Sequence, residues 1–289
     1  MSDTILILGG SGQVGSEVCA TYVDANVIAP SHAELPLDDL DRIEEVIVAN
    51  RPRAVINCTA FHQVDACEVD PARAFHVNAT LVGRLSAICA AREITFATIS
   101  TDYVFSGDDG RAYGELDRAA PKNVYGVSKL AGEHYALLAN ARALVFRTSG
   151  VFGRSGYSNK GPTFVERMIS MAERGETPSV VENIVFSPSY APDVAAKMRE
   201  VIDTQKAGLY HVANAGSCSW YELAVEAIAR AGLRSEVRPT RYEVTAGALG
   251  RPMYSPLAPD ALSRDGFDAM PSWQDAVSRY VDQRKARLA

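Results

Sequence analysis

The run Gly9-Gly10-Ser11-Gly12-Gln13-Val14-Gly15 follows directly on the apolar stretch Thr4-Ile5-Leu6-Ile7-Leu8 and opens into Val14 to Val23, which has helical spacing. A short, uninterrupted apolar strand is one buried on both faces, as in a parallel sheet. Glycines between such a strand and a helix permit a tight turn, let the backbone approach a pyrophosphate and allow the helix to pack closely on the strand. The helix N-terminus then offers N–H donors and a positive dipole. The loop fits G-x-x-G-x-x-G through Gly9, Gly12 and Gly15, and equally G-x-G-x-x-G through Gly10, Gly12 and Gly15.

The same rhythm continues. Asn26 to Ala29, Ala54 to Cys58, Ile94 to Ser100 and Ala143 to Arg147 read as strands, with helical stretches such as Leu40 to Asn50 and Ala72 to Arg92 between them. Alternation of this kind predicts an α/β fold, a Rossmann-type doubly wound parallel sheet. Beyond residue 150 the rhythm loosens, and Pro162, Pro178, Pro188, Pro192 and Pro252 punctuate shorter elements. The expected division is a nucleotide-binding domain over 1–150 and a smaller substrate-binding lobe over 151–289, with some segments of the latter returning to the sheet. Ligands bind at the C-terminal edge of such a sheet. Gly153 to Gly161 reads as the most loop-like and mobile stretch.

Composition excludes several other functions. The 289 residues are 47% hydrophobic and 22% charged, enough for a substantial core. A net charge of −6 without a long basic run lacks the electrostatic footprint of a nucleic-acid or anionic-membrane partner. The N-terminus has no signal-like segment and no 18-residue apolar stretch occurs, so a cytoplasmic protein is expected. The five cysteines, Cys19, Cys58, Cys67, Cys89 and Cys218, form no C-x-x-C, which favours reduced thiols over a disulfide frame or a metal site.

Tyr125 and Lys129 stand four residues apart in Asn123-Val124-Tyr125-Gly126-Val127-Ser128-Lys129, downstream of Ser100-Thr101-Asp102-Tyr103. On a helix this spacing puts both side chains on one face. A phenol has an ordinary pKa of about 10. A nearby ammonium favours the phenolate and brings its proton within reach of a carbonyl oxygen. Together with the nucleotide-binding loop, the pair describes a hydride-transfer site. The expected second strand ends at Ala29-Pro30-Ser31-His32 without the acid that normally grips the adenosine ribose about twenty residues after the loop. That absence leans towards NADPH over NADH, with Glu34 as the rival acid.

Longer strings then carry a family resemblance. They are Ile56 to Glu68, Val77-Asn78-Ala79, Ile99 to Gly107, Pro121 to Lys129, Phe146-Arg147-Thr148-Ser149, Pro188 to Asp193, Gly208 to His211, Ser219 to Glu222, and Arg251-Pro252 with Ser255 and Leu257. Over nearly its whole length the chain resembles the extended short-chain dehydrogenase/reductases, and among them the dTDP-4-dehydrorhamnose reductases. The resemblance implies NAD(P)H-dependent reduction of a keto group on a nucleotide-linked, 4-keto-6-deoxy sugar. Tyr125 would be the general acid, Lys129 would bind the nicotinamide ribose and lower the Tyr125 pKa, and Thr101 would hydrogen-bond the substrate oxygen. Gly9, Gly12, Gln13, Val14 and Gly15 would hold the pyrophosphate. Ser31, His32, Leu37 and Asp38 would lie on the adenosine side, and Thr59, Ala60, Phe61 and Asn78 would flank the cofactor. Asp102, Gly150, Phe186 and Arg251 would join Thr101 and Tyr125 around the substrate.

Three positions depart from the family pattern. Gly150 replaces a tryptophan that stands beside the sugar, Phe186 replaces a glycine in a stretch where Asn183-Ile184 also replaces Asp-Gln, and Pro36 replaces an aspartate near adenine. The substrate wall is therefore expected to differ, with an aromatic surface lost at position 150 and a ring added elsewhere at 186, and Gly150→Trp is expected to move substrate preference back if the pocket has room. The other readings are a nucleotide-sugar epimerase or dehydratase, using the same pair without net cofactor consumption, and a non-catalytic regulatory subunit. A homodimer is the family expectation, and no metal is expected.

Overall fold

A computed structural model describes residues 3–153, 157–158, 161–243 and 250–288. Of the stretch Gly153 to Gly161, 154–156 and 159–160 lie outside the described residues. Six parallel strands form the central sheet. Five of them are β1 (Thr4–Leu8), β2 (Asn26–Ile28), β3 (Ala54–Asn57), β4 (Thr95–Thr101) and β5 (Ala143–Thr148), and Gly208–His211 is the sixth. Their order is Gly208–His211, β5, β4, β3, β1, β2. The strand order reverses between β1 and β3, so the loops after these two strands border one crevice.

Alternation along each strand feeds two cores. Ile5 and Ile7 of β1 point with Ile56, Ala97, Leu144 and Phe146 towards α1 (Gln13–Thr21) and the later helix Ala191–Asp203. Leu6 and Leu8 point with Val55, Phe96 and Val145 to the other face. There they meet α2 (Leu40–Asn50) and, after the short helices α3 (Val64–Val69) and α4 (Pro71–Phe75), α5 (Leu81–Ala90) and α6 (Val124–Ala139). Burial on both faces is why these strands carry no polar alternation. Ala191–Asp203 and Gly208–His211 both come from beyond residue 150 and complete the sheet layer. The rest of that half packs α7 (Phe164–Glu173) against Trp220–Arg230 and the terminal helix Trp273–Leu288 over separate apolar clusters.

The expected single helix from Ala72 to Arg92 is interrupted. Between α4 and α5, His76–Thr80 forms a π-helical turn. The widened turn carries Asn78 at its centre, where the side chain bonds inward to the loop after β3 and to α6. Side-chain periodicity does not distinguish a five-residue turn from an α-helical one, and such turns cluster at functional sites.

What fixes α6 on the sheet is a buried ion pair. Arg147 of β5 reaches Glu133 of α6 in a two-pronged contact, Nη2 to Oε2 at 2.6 Å and Nε to Oε1 at 2.8 Å, with both side chains only 4% exposed. Ser100 of β4 donates to the same Glu133 oxygen, and His211 of the sixth strand contacts the guanidinium at 3.3 Å. The pair is enclosed and geometrically good, so losing one partner leaves the other charged and unpaired. Glu133→Ala is expected to destabilise the fold by about 3 kcal/mol or more. Urea denaturation checks this, and a loss below about 1 kcal/mol would mean that water reaches the pair.

Candidate active site

At the crevice the glycine loop closes on itself. Gly12 N–H donates to Gly9 O at 3.0 Å, and Gly9 has φ +78°. A Cβ at Gly15 would lie 2.1 Å from Gly9 O, so only glycine lets α1 begin this close to the turn. Gly12 caps α1 without a side-chain acceptor, which leaves the first-turn amides facing the crevice. The buried Gln13 Nε2 has no hydrogen-bond partner. Uncapped amides at a helix N-terminus and an orphaned amide donor fit a pyrophosphate. Val14, in the same turn, packs towards the first core.

Thr59, Ala60 and Phe61 form the opposite lip. An ideal Cβ at Gly9 would meet Thr59 Cγ2 at 2.9 Å, so the two loops are in direct contact. Asn78, expected beside the cofactor, has a supporting position. It is 1% exposed, its Oδ1 accepts from Phe61 N–H, and its Nδ2 donates to Phe61 O and Ser128 Oγ, at 2.9 to 3.0 Å. Its bonds tie the lip to α6.

On the adenosine side, Ser31 and His32 are exposed in the turn after β2, and the chain folds back so that Ser31 N–H donates to Glu34 Oε2 at 2.8 Å and Glu34 N–H donates to Ser31 Oγ at 3.3 Å. These bonds hold the Glu34 carboxyl below its usual range, mainly through the Ser31 amide. Glu34, the rival acid, is therefore held against the Ser31 amide just beyond β2. Leu37, expected near adenine, has its side chain buried in the second core, because the turn into α2 has to cover that end of the sheet. Asp38 pairs with His76 at 2.7 Å across the surface.

The chemistry lies at the end of β4. Thr101 is its last residue and Asp102 begins a short 3-10 turn. Asn123 caps α6 by accepting from Gly126 N–H, which starts the helix one turn before Lys129 and puts Tyr125 against this strand end. The Tyr125 phenol faces Thr101, and its ring meets Tyr103 edge-on with centroids 5.9 Å apart. Burial pushes the phenol well up, only partly offset by the Thr101 hydroxyl, and Asp102 and Tyr103 push it further up. Lys129, 4% exposed, donates to Ile99 O at 2.6 Å. Burial lowers its ammonium to about 8, against the opposing effect of Glu133. The Lys129 ammonium rests on a strand carbonyl, and burial favours the protonated form of the Tyr125 phenol.

On the substrate side, Arg251 faces Tyr103 and lies 3.6 Å from Asp65. Asp102, expected to touch substrate, has both oxygens turned inward: Oδ1 faces Thr101 Oγ1 at 3.2 Å and Oδ2 accepts from Ser255 Oγ at 2.6 Å. Tyr103, Ser149 and Ser255 are site neighbours that the residue-type reading left without a role, although Tyr103 directly follows Thr101-Asp102 and Ser255 lies in a recognised string.

Gly150 and Phe186 are a single feature. Gly150 has φ +52°, and a Cβ there would fall 2.0 Å from Phe186 Cε2. The Phe186 ring, 2% exposed, stacks on Trp220 at 4.0 Å, which in turn meets Phe164 edge-on. The ring gained at 186 does not lie elsewhere in the wall: it fills the space beside Gly150 that a side chain there would enter.

A glycine loop at the switch point of a parallel sheet, facing a tyrosine and lysine on the helix beside β4, defines an NAD(P)-dependent oxidoreductase of the extended short-chain type. The family described as the RmlD substrate binding domain matches residues 3–286, and the chain belongs to it. The Bacillus subtilis spore coat polysaccharide biosynthesis protein SpsK is 32% identical, with 98% of each chain covered. A dTDP-4-dehydrorhamnose reductase of Mycolicibacterium smegmatis is 34% identical over 97% of this chain and 86% of its own. The crystal structure of dTDP-4-dehydrorhamnose reductase from Bacillus anthracis in complex with NADP superimposes with a TM-score of 0.91 at 31% identity, covering 98% of this chain and 99% of that one.

Two expectations follow from the geometry. Glu34→Gln removes the carboxylate at the end of β2 and is expected to raise the NADPH-to-NADH affinity ratio by about fivefold, read by fluorescence titration. An unchanged ratio would place Glu34 away from the ribose. Gly150→Trp is expected to cost more than about 2 kcal/mol of stability through overpacking and a left-handed backbone. Adding Phe186→Gly should recover part of that loss in thermal unfolding, and failure to recover any would uncouple the two positions.

Proposed function

We propose that the protein reduces the keto group of a nucleotide-linked 4-keto-6-deoxy sugar, dTDP-linked, with NAD(P)H. The observation that carries this is that α6 sets Tyr125 and Lys129 against the end of β4, where Thr101 stands, beside the crevice bounded by Gly9 to Gly15 and Thr59 to Phe61. Relatives named as reductases of dTDP-linked keto sugars support the substrate class. A nicotinamide held across these loops supplies hydride to the carbonyl carbon.

The chain's own residues do the rest. Tyr125 gives its proton to the developing alkoxide, and Thr101 hydrogen-bonds the same oxygen, a preorganised stabilisation of charge that appears only in the transition state. Lys129 would hold the nicotinamide ribose with the ammonium donors that Ile99 O does not take. Arg251, beside Tyr103 and Asp65 at the rim, offers a guanidinium to the nucleotide diphosphate. Glu133 and Asn78 support α6 and the lip without touching substrate. The ring of Phe186 in the space beside Gly150 reshapes the sugar wall, so dTDP-4-dehydrorhamnose is expected to be a poorer substrate than a related keto sugar. We place the protein in the cytoplasm, as a homodimer.

Loss of reduced-cofactor absorbance, followed with NADH and NADPH across several nucleotide-linked keto sugars, tests the reaction. Absence of net consumption with every one of them would refute it. Tyr125→Phe should lower kcat by about 10² to 10⁴ with cofactor affinity nearly unchanged, whereas Lys129→Ala should weaken both. Near-normal turnover by Tyr125→Phe would remove the phenol from its role.

A further inference from the structure

Asn123 divides its amide between two parts of the site. Its Oδ1 accepts from Gly126 N–H at 2.8 Å and caps α6, and its Nδ2 donates to Gly250 O at 2.7 Å. A backbone N–H can only donate and a carbonyl can only accept, so one orientation of the amide serves both partners. The side chain is 6% exposed, which makes either bond costly to lose. Capping alone does not single out asparagine, because serine and aspartate cap as well. What the amide adds is a second arm, to a residue 127 positions away in the chain.

That arm holds the segment 250–255, which frames the substrate side. Gly250 lies so close to the chain before α6 that a Cβ there would fall 2.5 Å from Lys122 O. Two residues on, the segment rests on Gly107, where a Cβ would fall 2.7 Å from Pro252 Cα and 2.6 Å from Met253 N. Arg251 stands between these two close approaches, facing Tyr103 and 3.6 Å from Asp65. Val185 N–H donates to Met253 O and Ser255 N–H to Val185 O, both at 2.9 Å, so the segment runs along the short strand Val185–Phe186 of the sugar wall. Ser255 Oγ then donates to Asp102 Oδ2 at 2.6 Å, next to Thr101.

We infer that Asn123 is a positioning residue for substrate: its carbonyl starts the helix that carries Tyr125, while its N–H anchors the segment that presents Arg251 to the nucleotide diphosphate. One side chain thereby sets the proton donor and the diphosphate contact relative to each other. This rests on the diphosphate role of Arg251 proposed above. The Asp65 pair does little to place Arg251, since its two side chains are 34% and 82% exposed. The guanidinium is therefore only as well placed as the backbone beneath it, and a displacement of about 1 Å can cost as much as 10²-fold at a site of this kind.

Asn123→Ser separates the two arms. Serine caps as well as asparagine, adds no charge and has no second arm for Gly250 O. Calorimetric titration of dTDP into the full-length protein saturated with NADP should show affinity about tenfold weaker in Asn123→Ser, the size of one lost buried hydrogen bond. Arg251→Ala should weaken dTDP at least as much. With Arg251→Ala already present, Asn123→Ser should cost less than about twofold more, since its effect runs through the guanidinium. Amide hydrogen exchange followed by NMR should rise at Val185 and Ser255, while Gly126 and Val127 in the first turn of α6 keep their protection.

A dTDP affinity for Asn123→Ser within about twofold of the unaltered protein's, where Arg251→Ala is weakened, would overturn the inference. Loss of protection at Gly126 and Val127 would also overturn it and make Asn123 a plain helix cap. If Arg251→Ala leaves dTDP binding intact, or the unaltered protein does not bind dTDP, the diphosphate role of Arg251 falls by itself. Exchange at Val185 and Ser255 still decides in that case whether Asn123 anchors the segment.

Discussion

The site depends on a guanidinium and a carboxylate sealed between β5 and α6. Arg147 and Glu133 are both almost wholly excluded from water, and Ser100 and His211 satisfy what their mutual contact leaves over. Such a pair is weak evidence for net stability, but it tolerates little displacement, because moving either partner exposes an uncompensated charge to an apolar interior. It therefore sets the height and rotation of α6 against the sheet. Lys129 lies one turn before Glu133 and Tyr125 one turn before that, so fixing Glu133 at the strands also fixes the phenol beside Thr101.

A second constraint governs the cofactor edge. The glycine loop and the Thr59 to Phe61 lip touch directly, and Asn78 locks the lip to α6 from a π-helical turn. The cofactor crevice and the proton-donating helix are thus one mechanical unit, although they come from distant parts of the chain. Glu34 shows how a local turn places a side chain that the strand itself does not. No acid ends β2, yet the Ser31 to Glu34 hydrogen bonds hold one just beyond it.

The substrate wall follows from volume. Gly150 and Phe186 are 36 residues apart in the sequence, and each alone looks like an unrelated departure. In the fold the phenyl ring occupies the space a side chain at 150 would enter, and its stack on Trp220 passes the contact to Phe164 and the second lobe. Interiors are close-packed, so a vacancy of ring size would be costly and is filled by whichever neighbour reaches it.

The sequence by itself determined the doubly wound sheet, the glycine turn and the Tyr125 and Lys129 spacing, because these depend on local periodicity and on backbone geometry that few residue types allow. Strand limits came within a residue or two, and Thr101 falls at the end of β4. The tertiary structure alone decided where side chains with several candidate partners would spend their hydrogen bonds. Lys129 goes to Ile99 O, Asn78 to Phe61 and Ser128, Leu37 into the core, and Asp102 inward to Thr101 and Ser255, 153 residues away. A residue's type states what it can donate or accept. Which partner it takes depends on burial and on chain segments that meet only after folding, and this is where the electrostatics of the site is set.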